Sequence, residues 1–202
     1  MKTPTLTVIG GCNGAGKSSY SKAITSKKRP SFDYDKVYLK EYNSLLDSDL
    51  RDVIAHNISR AILEKSIDNA ILVCDNFAYE TNFNSSPLYW PEKFKSSGYS
   101  LRLVYFCLNS INEAKRRVQI RVENGGHFVP ETEIIERYFL GYEHLNKFWS
   151  FFDEVYIFDT SSYKAEPKFL FSILNGSVDQ FNSFPNYLKD LIPNIWNHFF
   201  MD

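Results

Sequence analysis

The sequence predicts a three-layer α/β fold with a mainly parallel sheet, on three observations. An apolar run, Leu6, Val8 and Ile9, breaks into the glycine-rich stretch GGCNGAGKSS. Two further apolar runs follow at residues 70–74 and 101–108. Between and after them lie charged stretches with helical spacing, residues 47–68 and 110–122. Strands that alternate with helices favour parallel pairing, because a crossover helix brings the chain back to run in the same direction.

The first strand leads into the most informative stretch. Gly11, four free positions and then Gly16-Lys17-Ser18 fit the G-x-x-x-x-G-K-[ST] pattern of a phosphate-binding loop. Glycines let successive backbone N–H groups turn inward onto an anion, and the positive end of the following helix adds to the attraction. Lys17 reaches the β- and γ-phosphates and the Ser18 hydroxyl ligates Mg²⁺. Gly11, Asn13, Gly14, Ala15, Gly16, Lys17, Ser18 and Ser19 are therefore the expected nucleotide cradle. Residues 19–27 contain no Pro or Gly and suit the helix that follows.

The segment SFDYDKVY then predicts a second strand ending near Asp35, with Asp33 as a turn or cap residue. In a parallel sheet, ligands lie beyond the carboxyl ends of strands, so Asp35 would face the loop. Residues 47–68 predict an amphipathic crossover helix with Leu50, Val53, Ile54, Ile58, Ala61, Ile62 and Ile67 inward. Residues 70–74 predict a central strand, with Asp75 placed like the acid that orients Mg²⁺ through water in many phosphate-loop proteins. Residues 77–86 read as a polar, aromatic loop at the substrate. A helix over 87–97 closed by Gly98, a strand over 101–108 and a strand over 152–159 complete the pattern.

Residues 110–122 predict a helix capped by Ser110, with Glu113 in a capping-box position. Arg117 and Arg121, four apart, share one face. Two glycines at 125–126 interrupt the pattern before a second helix over 131–149 carrying Arg137. Two helices around a glycine-hinged loop, with arginines on both arms, describe a lid over phosphate at about residues 110–149. An edge strand over 168–173, a turn at Gly176 and an aromatic helix over 185–200 kinked by Pro193 make up the C-terminal part, about 165–200.

At 202 residues and 44% hydrophobic content, residues 1–202 suit one domain with a continuous core. The formal net charge of −1 supplies no positive field for nucleic acid. With no apolar stretch near 18 residues and no secretory leader, the expectation is a cytoplasmic protein without a membrane partner. Cys12, Cys74 and Cys107 form no metal-type cluster, and Cys74 and Cys107 sit in apolar runs as buried thiols do.

A small-molecule kinase needs a triphosphate cradle, a metal, a base for the acceptor hydroxyl and cations for the transferring phosphoryl group. Here the cradle is residues 11–18, the metal ligand Ser18 and the base candidate Asp35. The cations are Arg121, Arg137 and His127. GTPase and transporter ATPase readings lack their marks, since Asn146-Lys147 leads into Phe148-Trp149 and no LSGGQ-type signature occurs. A polynucleotide kinase would need a basic path for its strand.

In order, GGCNGAGKSS, the FDYDK segment, NFAYETNF and AKRRVQIRVENGGHFVPETEIIERY resemble the zeta toxin family of phosphate-loop kinases, over about residues 5–160. The resemblance implies ATP- and Mg²⁺-dependent phosphorylation of UDP-N-acetylglucosamine, and a small helical antitoxin as partner. It implies that Lys17 and Ser18 hold ATP and Mg²⁺, and that Asp35 activates the acceptor hydroxyl. Glu80, Thr81 and Asn82 would contact the sugar nucleotide, while Arg121, with His127 or Arg137, would stabilise the γ-phosphate. Two positions depart from the family pattern. Asn82 stands where a second Thr is usual, and Cys12 where the loop commonly has Pro. Another small-molecule kinase, or an ATP-binding module regulated by a partner, would keep the same loop.

Overall fold

A computed structural model describes residues 3–126 and 128–200. Among these residues six strands form one sheet in the order β2-β1-β3-β4-β5-β6. The strands β1 (Thr5–Gly10), β2 (Phe77–Thr81), β3 (Ser100–Cys107) and β4 (Glu154–Asp159) pair in parallel. An antiparallel hairpin of β5 (Lys168–Leu174) and β6 (Ser177–Phe181) extends the sheet beyond β4. The hairpin turns at Asn175 and Gly176, both at positive φ.

Successive strand residues point to opposite faces, and the adjacent pair Tyr105 and Phe106 on β3 shows a helical layer on each. Tyr105 meets Tyr142 of α6 (Glu131–Phe148) at 5.7 Å between ring centres. Phe106 meets Tyr20 of α1 (Lys17–Ile24), also at 5.7 Å. On α6, Gly141 permits the closest approach: a Cβ there would lie 2.8 Å from the Tyr105 hydroxyl and 2.9 Å from the Asn82 carbonyl oxygen. Leu6, Val8, Ile9, Leu101, Leu103, Val155 and Ile157 are all buried between the layers.

The chain departs from expectation between residues 31 and 81. The segment SFDYDKVY makes only a single parallel bridge, Phe32 to Tyr79, before α2 (Tyr34–Ser44) begins. Asp33 caps that helix by accepting from the Lys36 amide at 3.1 Å, and a side chain that bonds its own backbone favours a helix start over strand continuation. Asp35 thus lies in the first turn of α2. Helix α3 (Arg51–Leu72) buries Ala55, Ser59, Leu63, Ile67 and Ala70. Leu50, Val53, Ile54 and Ala61 are exposed, so the inner face is rotated from the expected one, and of the residues expected inward only Ile67 is buried.

The predicted strand over 70–74 is the end of α3. Leu72 and Val73 are exposed, and Cys74, at φ 52, closes the helix as the Asp75 amide returns to the Ala70 carbonyl at 2.9 Å. A five-residue apolar run carries no period that separates strand from helix end. The strand is instead FAYET, expected to be loop, in which Ala78 and Tyr79 are buried. Asp75 therefore precedes β2, at the sheet end away from the loop, and pairs with Arg29 at 2.6 Å. Cys74 is exposed, whereas Cys12 and Cys107 are buried.

Later elements follow the sequence. They comprise α4 (Tyr89–Ser96), α5 (Ile111–Glu123) and, after a short 3₁₀ turn, the C-terminal α7 (Asn186–Leu191) and α8 (Pro193–Phe200). Ser110 caps α5 through the Glu113 amide. Pro193, which cannot donate an amide hydrogen bond, separates the last two helices.

Candidate active site

The loop after β1 is shaped by conformations that glycine alone adopts cheaply. Gly11 has φ 144, and a Cβ there would meet the Phe106 carbonyl oxygen at 2.6 Å. Gly16, at φ 84, stands immediately before α1, whose N-terminal amides open toward the cavity. The far side of the loop is tied down by α5 and by the segment after β4. Arg117 donates to the carbonyl oxygens of Gly14 (3.3 Å), Thr160 (2.8 Å) and Ser161 (3.1 Å), and its Nε lies 2.6 Å from Glu113. Thr160 donates to the Ala15 carbonyl at 3.1 Å.

Side chains from three segments converge beside the loop: Lys17 and Ser18, Ser31, and Glu80 with Asn82. The Lys17 ammonium donates to the Gly11 carbonyl (2.7 Å), the Cys12 carbonyl (3.1 Å) and Asn82 Oδ1 (2.8 Å). Burial pushes the Lys17 pKa down, opposed by Cys12, Asp35 and Glu80, while Arg121 adds to the depression. A polyphosphate in the loop would reverse the penalty, because an adjacent anion favours the charged form. The Ser18 hydroxyl donates to Glu80 Oε2 at 2.6 Å, and Ser31 donates to Glu80 Oε1 at 2.9 Å. Burial also pushes the Cys12 thiol up to about 11, leaving it neutral and inert under the loop.

A cavity of about 450 Å³ is lined by Asn13, Gly14, Gly16, Lys17, Ser18 and Ser19 at the loop. Asp35, Glu80, Thr81 and Asn82 line one end, and Arg121 stands on α5. Every member of the predicted acceptor set thus reaches the cavity. Gly11 and Ala15 shape the loop from behind it, Ala15 being fully buried. Arg137 is not on the cavity wall. It donates to Asn13 Oδ1 at 3.4 Å and pairs with Glu133 along its own helix. His127 lies outside the described residues.

Sequence reasoning missed the segment Ser162-Tyr163-Lys164, which also lines the cavity, and the clamp formed by Arg117. Tyr163 lies 4.5 Å below the Arg116 guanidinium and 5.3 Å below that of Arg117. The available signal was position, since these residues follow the carboxyl end of a parallel strand.

The residues fit a magnesium nucleotide. A glycine cradle that a Cβ would block, a part-buried ammonium and a hydroxyl beside a carboxylate supply what triphosphate and a hard cation require. Fold and site together define an α/β domain of the phosphate-loop class.

The particular family follows from comparison. A family model described as Zeta toxin matches residues 1–165, and the chain belongs to the zeta toxin family. No curated protein matches the sequence. Among solved structures, the PezAT chromosomal toxin-antitoxin system of Streptococcus pneumoniae aligns with a TM-score of 0.58 at 14% identity, over 100% of this chain and 80% of that one. The AvrRxo1-ORF1:-ORF2 complex with ATP aligns at 0.64 and 14% identity, over 88% and 60%. A chain of the Pnkp1/Rnl/Hen1 RNA repair complex aligns at 0.57 and 20% identity, over 73% and 47%. This chain therefore spans about half of that repair protein, and likeness at these identities speaks to the fold.

Proposed function

We propose that the protein is an ATP- and Mg²⁺-dependent kinase that phosphorylates a hydroxyl of a nucleotide sugar such as UDP-N-acetylglucosamine. The observation that carries this reading is the meeting of Lys17, Asp35, Glu80, Thr81, Asn82 and Arg121 in the lining of one cavity. Bound Mg²⁺ would neutralise charge on the β- and γ-phosphates, and Ser18 is the residue placed to hold it. Lys17, already among carbonyl oxygens and Asn82, would exchange them for phosphate oxygens with little movement of its stem.

Asp35 would accept the proton as the acceptor oxygen bonds to the γ-phosphorus and the bridging oxygen leaves with ADP. A carboxylate needs little tuning for this, because it chiefly orients the hydroxyl. Arg121 would stabilise the equatorial oxygens in transfer, and Arg137 would act through Asn13 on the loop. Thr81 and the neighbouring cavity wall would receive the acceptor. The nucleoside of ATP would lie toward Tyr163, whose ring and flanking arginines offer a stacking surface.

Purified protein with ATP, Mg²⁺ and UDP-N-acetylglucosamine should yield a product heavier by one phosphoryl group, read by mass spectrometry, that Lys17→Ala does not form. ATP binding without such a product would remove this acceptor. A small helical antitoxin is the proposed partner, supported by family membership and by the toxin-antitoxin nature of PezAT. Co-expression with the product of an adjacent small gene, followed by co-purification and suppression of the kinase activity, tests it.

A further inference from the structure

We propose that Gly126 is a positioning residue for Arg121: with no side chain at 126, the Arg121 stem can lie against the end of its own helix and reach the nucleotide cavity from a fixed direction. The inference rests on the proposed role of Arg121 at the γ-phosphate and adds the residue that aims it.

Helices α3, α4 and α5 end in the same closure. Past each helix end stands a residue at positive φ, Cys74 at 52, Gly98 at 83 and Gly125 at 81. Its amide returns to a carbonyl three residues back, Ile71 at 3.2 Å, Lys95 at 3.0 Å and Val122 at 2.9 Å. The next amide returns five residues back, Asp75 to Ala70 at 2.9 Å, Tyr99 to Phe94 at 3.1 Å and Gly126 to Arg121 at 2.8 Å. The pairing satisfies carbonyls that a helix end otherwise leaves without partners. Positive φ accounts for a glycine at 125. The closure does not account for a glycine at 126, because the equivalent position carries Asp75 in one helix and Tyr99 in another.

At α4 that position is used for packing, as this motif commonly allows: the Tyr99 ring centre lies 4.8 Å from that of Phe94. At α5 the corresponding pair is Gly126 and Arg121, and a close approach replaces the contact. A Cβ at 126 would lie 2.5 Å from Arg121 Cγ, 2.8 Å from the Arg121 carbonyl oxygen and 3.3 Å from its carbonyl carbon. Its three nearest neighbours thus all belong to Arg121, whereas a Cβ at 125 would meet open space. A side chain at 126 would therefore displace Arg121. The Arg121 Nε is shut off from solvent, and the residue lines the cavity that Lys17 and Asp35 also line. A stem held in this way loses its rotamer freedom on folding and not on binding, which leaves more of the interaction with phosphate to act.

Two measurements test this without an acceptor. The Arg121 Nε–H resonance of the nucleotide-free protein, assigned by its disappearance in Arg121→Lys, should move in Gly126→Ala. It should stay in place in Gly125→Asn, since Asn adopts positive φ at low cost. By calorimetry, Gly126→Ala should lower the affinity for Mg²⁺·AMP-PNP relative to Mg²⁺·ADP about fivefold, with ADP affinity within about twofold of wild type. In an Arg121→Ala background the same change should alter that ratio by less than about twofold, because its effect runs through the missing side chain. An unmoved resonance, or the same fivefold loss in the absence of Arg121, would overturn the proposal. Should Gly126→Ala alone fail to fold, adding Arg121→Ala should restore a cooperative thermal transition, and a double variant that stays unfolded overturns the proposal as well. An unchanged ratio in Arg121→Ala would remove Arg121 from the γ-phosphate and the proposal with it. Because no acceptor is present, a nucleotide sugar that proves not to be phosphorylated bears on the acceptor reading alone.

Discussion

Two clefts open at opposite ends of the sheet, and the larger has the weaker chemical claim. The cleft at the amino ends, about 640 Å³, is lined by Thr5, Thr7, Arg29, Asp75, Arg102 and Glu154. Its charges are already matched, Arg29 with Asp75 at 2.6 Å and Arg102 with Glu154 at 2.7 Å. At the carboxyl ends, the smaller cavity keeps a part-buried ammonium on carbonyl and amide oxygens and a carboxylate on hydroxyls. Those arrangements leave charge to be completed by a ligand. Unmatched charge, held by neutral dipoles, distinguishes a site from a hollow.

Substitution should expose that difference most sharply at Lys17. Lys17→Ala should reduce turnover by about three orders of magnitude or more, since it removes contacts that strengthen as phosphoryl transfer proceeds. Arg29→Ala in the other cleft should leave turnover within about twofold and cost less than about 1 kcal/mol in denaturant unfolding, as expected for an exposed pair. Equal losses in the two variants would erase the contrast. Next in size, Asp35→Asn should lower kcat by about two orders of magnitude with ATP affinity largely kept. Near-normal turnover would exclude Asp35 as the base.

Arg117→Ala is expected to act on the loop itself. It should weaken nucleotide binding and cost about 3 kcal/mol in stability, because Glu113 and three carbonyl oxygens lose a partly buried cation. Full stability in that variant would show the clamp to be dispensable. The smallest effect is one of pH. Arg116 and Arg117 hold the Glu113 carboxyl well below its ordinary 4.5, at about 2. The stability it contributes is present above 4.5 and is lost as pH falls through about 2. Glu113→Gln should flatten unfolding free energy over that acid window and leave the slope above 4.5 unchanged.

The site was more legible in the sequence than the sheet around it. The loop could be read because its conformation is local: Gly11 and Gly16 take up backbone angles that their residue type announces. Ser110 and Gly98 announced a helix start and a helix end in the same way. The stretch from Ala70 to Thr81 was misread because its signals compete. Five apolar residues suited a strand, yet Ile67 and Ala70 continue one face of α3, and the true strand FAYET carries a charge at its end. Asp35 was placed near the loop for partly the wrong reason, on a strand that is only a bridge. The register between Phe32 and Tyr79, a long-range pairing, put it there regardless. Arg117 and Ser162 to Lys164 owe their roles to chain segments far apart in sequence, which no local pattern encodes.

Gly141 gives the two arms of the predicted lid different characters. With no side chain at that point, α6 rests on the backbone oxygen of Asn82 and the hydroxyl of Tyr105, and Asn82 in turn receives Lys17. The helix is thereby a datum line for the Lys17 ammonium. Any swing of α6 would drag its own reference with it, and α5 is tied to the loop through Arg117, so both arms are coupled to the loop, one by close backbone contact and the other by a side-chain clamp.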